Sequence, residues 1–281
     1  MTKTNLIMTL LALFAFAGNS ILCRMALDVE QIDAASFTLL RLASGAALLT
    51  LLPLSSPPRS AKPIGSWRSG FWLMLYAVGF SYAYRFVDAG AGALVLFAAV
   101  QLMMLSWAAA KGERLSMGGV IGLLAAAGGL LILLLPGVDA PQPAGVALMV
   151  TAGIAWALYS IRGQGSVAPI ADTRGNFQRA FVWALPLIVP ALLWGQVPPS
   201  GAALAVLSGA LTSALGYVLW YRVLPTLSTV AASVCQLSVP VWAALAGVFL
   251  LGESFTLRLV LSSGLVLGGI SLVLWQKQHR A

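Results

Sequence analysis

The sequence predicts an all-α membrane protein of ten transmembrane helices, arranged as two inverted five-helix repeats with both termini in the cytoplasm. Three observations predict this fold: an apolar composition, recurring apolar segments of spanning length, and short sequence words that occur once in each half. Charged residues make up 9% of the 281 positions, whereas a soluble domain carries about 25%. Because the mean hydropathy is +0.93, we expect the chain to fold in a lipid bilayer.

The apolar segments have the length of membrane-spanning helices. A helix rises about 1.5 Å per residue, so a hydrocarbon core of about 30 Å requires roughly twenty residues. A transmembrane β-barrel is excluded because its strands would alternate apolar and polar residues, whereas residues 130–135 are apolar without a break. On this scale the predicted spans lie near residues 4–23, 34–53, 68–87, 91–110, 115–135, 144–162, 176–194, 201–221, 227–250 and 256–275.

The first span has some features of a secretory signal, since Lys3 precedes an apolar run and the residues Ala15-Phe16-Ala17. Its apolar run continues to Cys23, however, and its removal would leave an incomplete first repeat. We therefore expect this segment to be retained as the first helix.

The basic residues predict the orientation of the chain in the membrane. The net charge is +8, and with the N-terminus inside, twelve of the sixteen Lys and Arg residues fall in cytoplasmic links. The remaining four, Arg24, Arg41, Arg85 and Arg258, are assigned to the outside. This asymmetry follows the positive-inside rule. The positive charge then marks a membrane face, and we expect no nucleic-acid partner.

Matching words in the two halves predict an internal duplication. Residues 1–138 and 139–281 form the two predicted repeats, with a turn-rich link near residues 136–143. An odd number of spans turns the second copy upside down, an arrangement typical of secondary transporters with a substrate site near the midplane. The paired words are Gln101-Leu102 with Gln236-Leu237 and Gly112-Glu113 with Gly252-Glu253, and the paired single residues include Asn19 with Tyr159 and Arg41 with Arg179.

Catalytic and metal-binding chemistry is not indicated. The single histidine, His279, lies in the C-terminal tail, and no metalloprotease motif or paired intramembrane aspartate is present. We expect neither a metal, nor a cofactor, nor an enzyme. All eight acidic residues are assigned to links or helix ends, so only neutral polar side chains are expected at mid-membrane depth. Transport would then be facilitative, or weakly proton-coupled through an edge carboxylate such as Asp88 or Glu253.

Two glutamines at repeat-related positions are candidate binding residues. An unpaired amide in hydrocarbon costs several kcal/mol, so Gln101 and Gln236 require partners. Pro240 cannot bond the carbonyl of Gln236, which predicts irregular backbone of the kind that lines transporter cavities. Two alternatives stay open for these residues: a hydrogen bond between helices, and a simple kink at the proline.

Aromatic residues cluster in the same spans. Phe80, Tyr82, Trp156, Tyr159 and Tyr217 lie away from the predicted span ends, whereas Tyr84, Trp220 and Tyr221 lie close to them and are expected in an interfacial belt. Aromatic walls with a few amides and hydroxyls suit a small amphipathic or ring-bearing solute.

Small residues predict close helix contacts at Gly118 and Gly122, and again at Gly264 and Gly268. These positions are either a homodimer seam or packing within the bundle, and we favour packing.

The stretch Ala17-Gly18-Asn19 and the Gly-Glu words after spans four and nine resemble the drug/metabolite transporter superfamily, specifically its EamA-type members. The aromatic-rich spans most resemble bacterial aromatic amino-acid exporters of the YddG kind. The resemblance implies a multi-pass exporter of the cytoplasmic (inner) membrane whose spans one, three, four, six, eight and nine enclose a cavity. The substrate-binding residues it implies are Asn19, Tyr82, Gln101, Trp156, Tyr159, Tyr217 and Gln236.

Export of amino acids, including aromatic ones, and of related small metabolites by alternating access is the leading interpretation. One alternative is efflux of drugs or organic cations. The four-span multidrug members of the superfamily use a membrane-embedded glutamate in their first helix, and this chain has none there. A second alternative is a non-transporting membrane scaffold or enzyme subunit. Two buried amides at repeat-related positions argue against it.

Overall fold

The computed structural model describes residues 3–29, 31–52, 65–110, 117–135, 140–163, 166, 168–223, 226 and 235–278. Within these ranges all regular secondary structure is helical, as the sequence predicts. The calls that rest on Gly112, Glu113, Asp139 and His279 lie outside the described residues.

Twelve α-helices are described. Two of the spanning segments are composite, because α7 and α8 are joined by a 3₁₀ turn at Leu185–Leu187 and α9 and α10 by a π-helical segment at Ser208–Leu215. The helices are α1 Lys3–Arg24, α2 Ala34–Leu51, α3 Trp67–Ala83, α4 Ala89–Ala110, α5 Met117–Leu134, α6 Pro143–Gly163, α7 Pro169–Ala184, α8 Ile188–Trp194, α9 Pro199–Leu207, α10 Gly216–Val223, α11 Val239–Leu251 and α12 Leu257–Gln278.

Among the described residues, seven helical segments are long and apolar enough to cross a membrane: α1 with its π-helical extension, α2, α4, α5, α6, the α7–α8 segment and the α9–α10 segment. The helices α11 and Leu257–Val273 of α12 are apolar but shorter, and α3 has 17 residues. Helical residues therefore fall in every predicted span, while the count of ten stays a prediction.

Local sequence signals account for the helix ends. Asp33 caps α2 by accepting a hydrogen bond from the Ser36 amide at 2.8 Å, and Ser66 caps α3 in the same way at 3.1 Å from the Ser69 amide. Pro186 interrupts the α7–α8 segment because it has no N–H for the helical ladder. Gly252 ends α11 in the left-handed conformation, with φ of 67°.

The helices contact one another in matching pairs. α1 packs on α10 as α6 packs on α3, and α1 packs on α11 as α6 packs on α4. Likewise α2 packs on α9 and the π-helical segment as α7 packs on α3. The pairs α2–α7, α4–α11 and α5–α12 each join corresponding helices of the two halves. Exchanging the halves therefore reproduces the main contacts.

Glycines allow α5 and α12 to pack closely. A Cβ atom at Gly122 would collide with the Gly269 carbonyl, and one at Gly129 would lie 2.9 Å from the Ser262 carbonyl. Gly122 therefore packs within the bundle, which was the favoured interpretation. A Cβ atom added at Gly264 or Gly268 would meet no described atom within 4 Å outside its own helix, and both glycines are exposed.

Large apolar side chains cover the outside of the bundle. Leu192 and Phe249 are 82% and 80% exposed, and Leu124 and Leu131 are also exposed. A water-soluble surface rarely carries so much contiguous apolar area. Lipid is the solvent that suits it.

Candidate functional site

The deepest charged side chain is Arg41, the eighth residue of α2, which is 1% exposed. Arg41 falls within the predicted span 34–53, yet it was assigned to the outside; that assignment was wrong, and so was the expectation that only neutral polar groups lie inside. The guanidinium is accommodated by hydroxyls and rings: Nε donates to Ser213 Oγ at 3.1 Å and Nη2 donates to Tyr76 Oη at 3.2 Å. It also lies over the Tyr76 and Phe80 rings, 5.2 and 4.9 Å from their centroids.

Asn19 of α1 joins the same network and is 3% exposed. Its Nδ2 donates to Tyr76 Oη at 3.4 Å. Its Oδ1 accepts from Ser208 Oγ at 2.7 Å, from Thr212 Oγ1 at 3.2 Å and from Ser213 Oγ at 3.4 Å. Asn19 and Arg41 therefore share two partners, Tyr76 and Ser213, so helices from both halves meet in one polar cluster.

The π-helical segment Ser208–Leu215 supplies the hydroxyls of this cluster. π-helical turns are rare and frequently occur at functional sites. Here the segment directs the hydroxyls of Ser208, Thr212 and Ser213 toward Asn19. It also lies close to α2, because a Cβ atom at Gly209 would collide with the Arg41 carbonyl and the Ser44 hydroxyl. Only glycine fits at that contact.

Aromatic rings enclose the polar cluster. Trp156 of α6 is at their centre, with its ring centroid 4.8 Å from that of Tyr217, 5.0 Å from Tyr76 and 5.6 Å from Tyr159. Phe16 and Phe177 extend the wall from α1 and α7. Such a wall, with amide, hydroxyl and guanidinium groups inside it, can hold a small solute that carries both a ring and polar groups.

The structure brings together four of the seven residues expected at the site: Asn19, Trp156, Tyr159 and Tyr217. Tyr82 is half-buried and makes no ring contact with another described aromatic residue. The helices α2 and α7, which the resemblance left out of the cavity, both contribute side chains. Arg41 was missed as a site residue because it was assigned to the outside, although its repeat-related pairing with Arg179 was a signal in the sequence.

The two glutamines are both buried in the bundle. Gln101 lies within α4 at 1% exposure and Gln236 just before α11 at 6%. The helix break expected from Pro240 is present, since the backbone forms a turn at Leu237 and Ser238 before α11 begins. Both residues take part in interactions with other residues, and their relation to the Asn19 cluster stays a prediction.

The expected interfacial positions of Tyr84, Trp220 and Tyr221 are not observed. All three are buried. Tyr84 packs on Phe80, Trp220 on Phe16 and Tyr221 on Tyr159. These rings extend the aromatic wall toward the helix ends, where packing between helices replaces contact with the lipid headgroups.

At one end of the bundle, Arg24 forms hydrogen bonds and ion pairs that join several segments. Its Nε donates to Glu253 Oε1 at 3.3 Å, its Nη2 to Asp88 Oδ1 at 3.1 Å and its Nη1 to the Tyr84 carbonyl at 2.9 Å. Asp28 is a further ion-pair partner at 3.4 Å. We call these residues the Arg24 network. It joins the first half of the chain to Glu253 of the second half.

Glu253 also caps α4, because both of its carboxylate oxygens accept from the Ala89 amide at 2.9 Å. Burial raises the pKa of Glu253 above its ordinary value of 4.5, and nearby Asp88 adds to the rise, while the Ala89 amide and Arg24 oppose it. A depression of about 250 Å³ lined by Asp88 and Glu253 opens beside this network.

The opposite end of α3 carries a second set of contacts between the halves, which we call the Asp172 network. The amide of Gly65 donates to Asp172 Oδ1 at 2.9 Å, and the amide of Ser66 donates to Asn176 Oδ1 at 2.9 Å. Arg162 Nε donates to Ser69 Oγ at 3.3 Å. Because α3 runs from Trp67 to Ala83, the aromatic cluster at Tyr76 and Phe80 lies between the two networks.

The second half of the chain matches a known protein family. A family model described as the EamA-like transporter family matches residues 143–275. A protein of Archaeoglobus fulgidus described as an uncharacterized transporter is 28% identical over 208 residues, which are 72% of this chain and 74% of that protein. These two similarities favour an EamA-like transporter, and the family match itself covers residues 143–275.

A protein of Pseudomonas aeruginosa, described as uncharacterized, is 49% identical over 99% of this chain and 97% of its own length. A solved crystal structure matches with a TM-score of 0.68, at 16% identity and with full coverage of both chains. At that identity the match indicates a shared fold alone. The apolar helices together with the family match support a multi-pass membrane protein, and the matched family suggests a transporter.

Proposed function

We propose that this transporter moves amino acids, including aromatic ones, and related small metabolites out of the cell across the inner membrane by alternating access. The observation that carries this proposal is the cluster of Asn19, Arg41 and Tyr76 inside an aromatic wall at the meeting point of both halves. Polar groups bound to each other and walled by rings suit an amino acid, which carries charged groups beside its side chain.

Inverted repeats are part of the proposal. If the halves are related by a two-fold axis in the membrane plane, each contact of a first-half helix must recur when the halves are exchanged. The recurring pairs, α1–α10 with α3–α6 and α1–α11 with α4–α6, support this relation. With both termini inside, the Arg24 network lies on the outer side and the Asp172 network on the inner side.

Alternating access requires that the two sides open in turn. Each network joins the two halves, and the site lies between them, so breaking one network while the other persists would expose the site to one side only. Asn19, Trp156 and Tyr217 are buried while both networks are formed. The direction of net flux follows the substrate gradient unless an ion is coupled, and the assignment as an exporter rests on the resemblance to aromatic amino-acid exporters.

A homodimer is a further proposal for the partners of this chain. Its support is the outward face of α12, where Gly264 and Gly268 have no described neighbour within 4 Å. Two such faces could approach closely in the membrane. Crosslinking of a cysteine at Gly268 in native membranes tests it, and the absence of any crosslinked dimer would remove the homodimer.

Transport by purified protein in liposomes tests the function. We expect saturable uptake of labelled phenylalanine, tyrosine or tryptophan above that of protein-free vesicles, and inhibition by unlabelled amino acids. The same vesicles are assayed with a labelled lipophilic cation, which represents the alternative of drug efflux. Uptake of the cation without uptake of any amino acid would remove the proposal in favour of that alternative.

A further inference from the structure

We propose that Arg41 binds the carboxylate of the transported solute, so that the substrates are carboxylate-bearing molecules and not amines or organic cations. This inference rests on the proposed function insofar as it takes the Asn19 cluster as the substrate site. Nothing in the comparisons assigns a role to this residue.

The first observation is that the charge of Arg41 is not neutralised by the protein. Arg24 has three carboxylate partners, whereas Arg41 has no ion-pair partner in the part of the chain that the structure describes. A buried cation without a counter-ion is strongly disfavoured in a membrane interior, and such residues mark functional sites. An anion that enters the cluster would supply the missing charge.

The second observation is that the Arg41 guanidinium has more hydrogen-bond donors than the protein's acceptors use. Arginine carries five N–H groups; Ser213 and Tyr76 accept one each, through Nε and Nη2. Nη1 is buried and has no hydrogen-bond partner among the described residues. The edge formed by Nη1 and Nη2 can therefore donate two parallel hydrogen bonds to one carboxylate, the geometry in which arginine binds carboxylates best.

The third observation is that the hydrogen-bond partners of Arg41 keep other hydrogen bonds when Arg41 is removed. Ser213 Oγ keeps its bond to Asn19 Oδ1, and Tyr76 Oη keeps the bond from Asn19 Nδ2, when the guanidinium is removed. A purely structural arginine would leave its partners unpaired on removal. Here the loss of Arg41 leaves neither the Ser213 nor the Tyr76 hydroxyl without a hydrogen bond. A structural role therefore does not explain why the protein contains a charge that is costly to bury.

The rings explain which carboxylates fit. The guanidinium lies on Tyr76 and Phe80, and Tyr76 in turn contacts Trp156. A solute whose carboxylate meets Nη1 would place its side chain along this wall. Phenylalanine and 3-phenylpropionate share the ring and the carboxylate, whereas phenethylamine keeps the ring and lacks the carboxylate. These three compounds isolate the group that Arg41 is inferred to bind.

The test measures binding of labelled phenylalanine to the purified full-length protein, with the other two compounds as competitors. Charged hydrogen bonds of this type predict that phenethylamine competes about ten- to hundredfold more weakly than phenylalanine. Arg41→Gln should weaken phenylalanine binding by a similar factor, leave phenethylamine unchanged and not lower the melting temperature. Arg41→Lys keeps the charge but not the paired donors, and should fall in between. Arg179→Lys is the matched control, since it alters the repeat-related arginine, and should retain the preference.

Several results would overturn the inference. These are equal competition by phenethylamine and phenylalanine in the wild type, an equal loss of both ligands in Arg41→Gln, and a fall in melting temperature with unchanged relative affinities. Binding of none of the three compounds would also remove it. Arg41-dependent binding of 3-phenylpropionate without binding of phenylalanine has a different meaning: it would support the carboxylate site while removing amino acids as the substrates.

Discussion

Replacing Arg24 should open the end of the bundle that carries the Arg24 network. The ion pairs with Asp28 and Asp88 are weak, because those carboxylate side chains are 55% and 53% exposed and such pairs contribute about 0–1 kcal/mol. The pair with Glu253 counts more, since the two side chains are 13% and 9% exposed. The shorter, neutral glutamine of Arg24→Gln cannot replace the charged hydrogen bond to Glu253, so we expect a loss of about 1.5–3 kcal/mol, the contribution of one charged hydrogen bond.

A native cysteine reports the opening. Cys23 is 0% exposed directly beneath the Arg24 network, so in a Cys235→Ser background its alkylation requires that end to open. The lost interaction predicts an alkylation rate about ten- to hundredfold higher in Arg24→Gln. Loss of the neighbouring positive charge by itself would disfavour the reactive thiolate and slow the reaction, so an increase cannot come from that source.

The matched control is Arg85→Gln, because Arg85 is exposed at the same end and its side chain forms no hydrogen bond or ion pair with the described residues. This variant should label at the wild-type rate. An unchanged rate in Arg24→Gln, or the same increase in both variants, would refute the role of the network in closure.

Three further predictions concern stability and affinity. Because the pKa of Glu253 is raised, its stabilising contribution is full below pH 4.5 and is lost as pH rises through the raised pKa. The melting temperature of the wild type should therefore fall relative to that of Glu253→Gln over this pH range. Parallel curves of melting temperature against pH would contradict the prediction. Gln101→Leu and Gln236→Leu should weaken substrate affinity about two- to tenfold if the substrate group bound is neutral, and up to roughly a hundredfold if it is charged. The melting temperature should stay unchanged. A lower melting temperature with an unchanged KM would mean that both residues are structural. Gly209→Ala should destabilise the protein by about 1–3 kcal/mol in thermal unfolding, because the new Cβ would collide with the Arg41 carbonyl. Gly264→Ala is the control and should be neutral, because a Cβ there meets open space. Equal effects of the two substitutions would refute the close contact at Gly209.

Much of the fold follows from the sequence because a bilayer constrains it. Every backbone group must be bonded within the span, so apolar runs of spanning length predict helices directly. The break before α11 also follows from one residue, since Pro240 lacks the N–H that a continuous helix requires. The proline at position 186 has the same effect on the α7–α8 segment.

The site was less predictable, because which helix faces the centre depends on packing and not on composition. Arg41 was assigned to the outside since charged residues rarely lie inside a membrane span, yet rings and hydroxyls from α3 and the π-helical segment surround it. Ser208 and Thr212 carried no signal of their own, because serine and threonine also occur in ordinary transmembrane helices. Their role depends on the local π-helical winding, which the sequence does not indicate.

The most direct test of the account is a counterflow experiment with labelled phenylalanine. Vesicles containing the protein are loaded with unlabelled phenylalanine and diluted into a trace of the label. A single site that faces each side in turn predicts a transient accumulation of label above the external concentration, and Arg41→Gln should abolish it. Correctly folded protein that produces no uptake and no counterflow for any amino acid would contradict the account, as would uptake that internal phenylalanine does not accelerate.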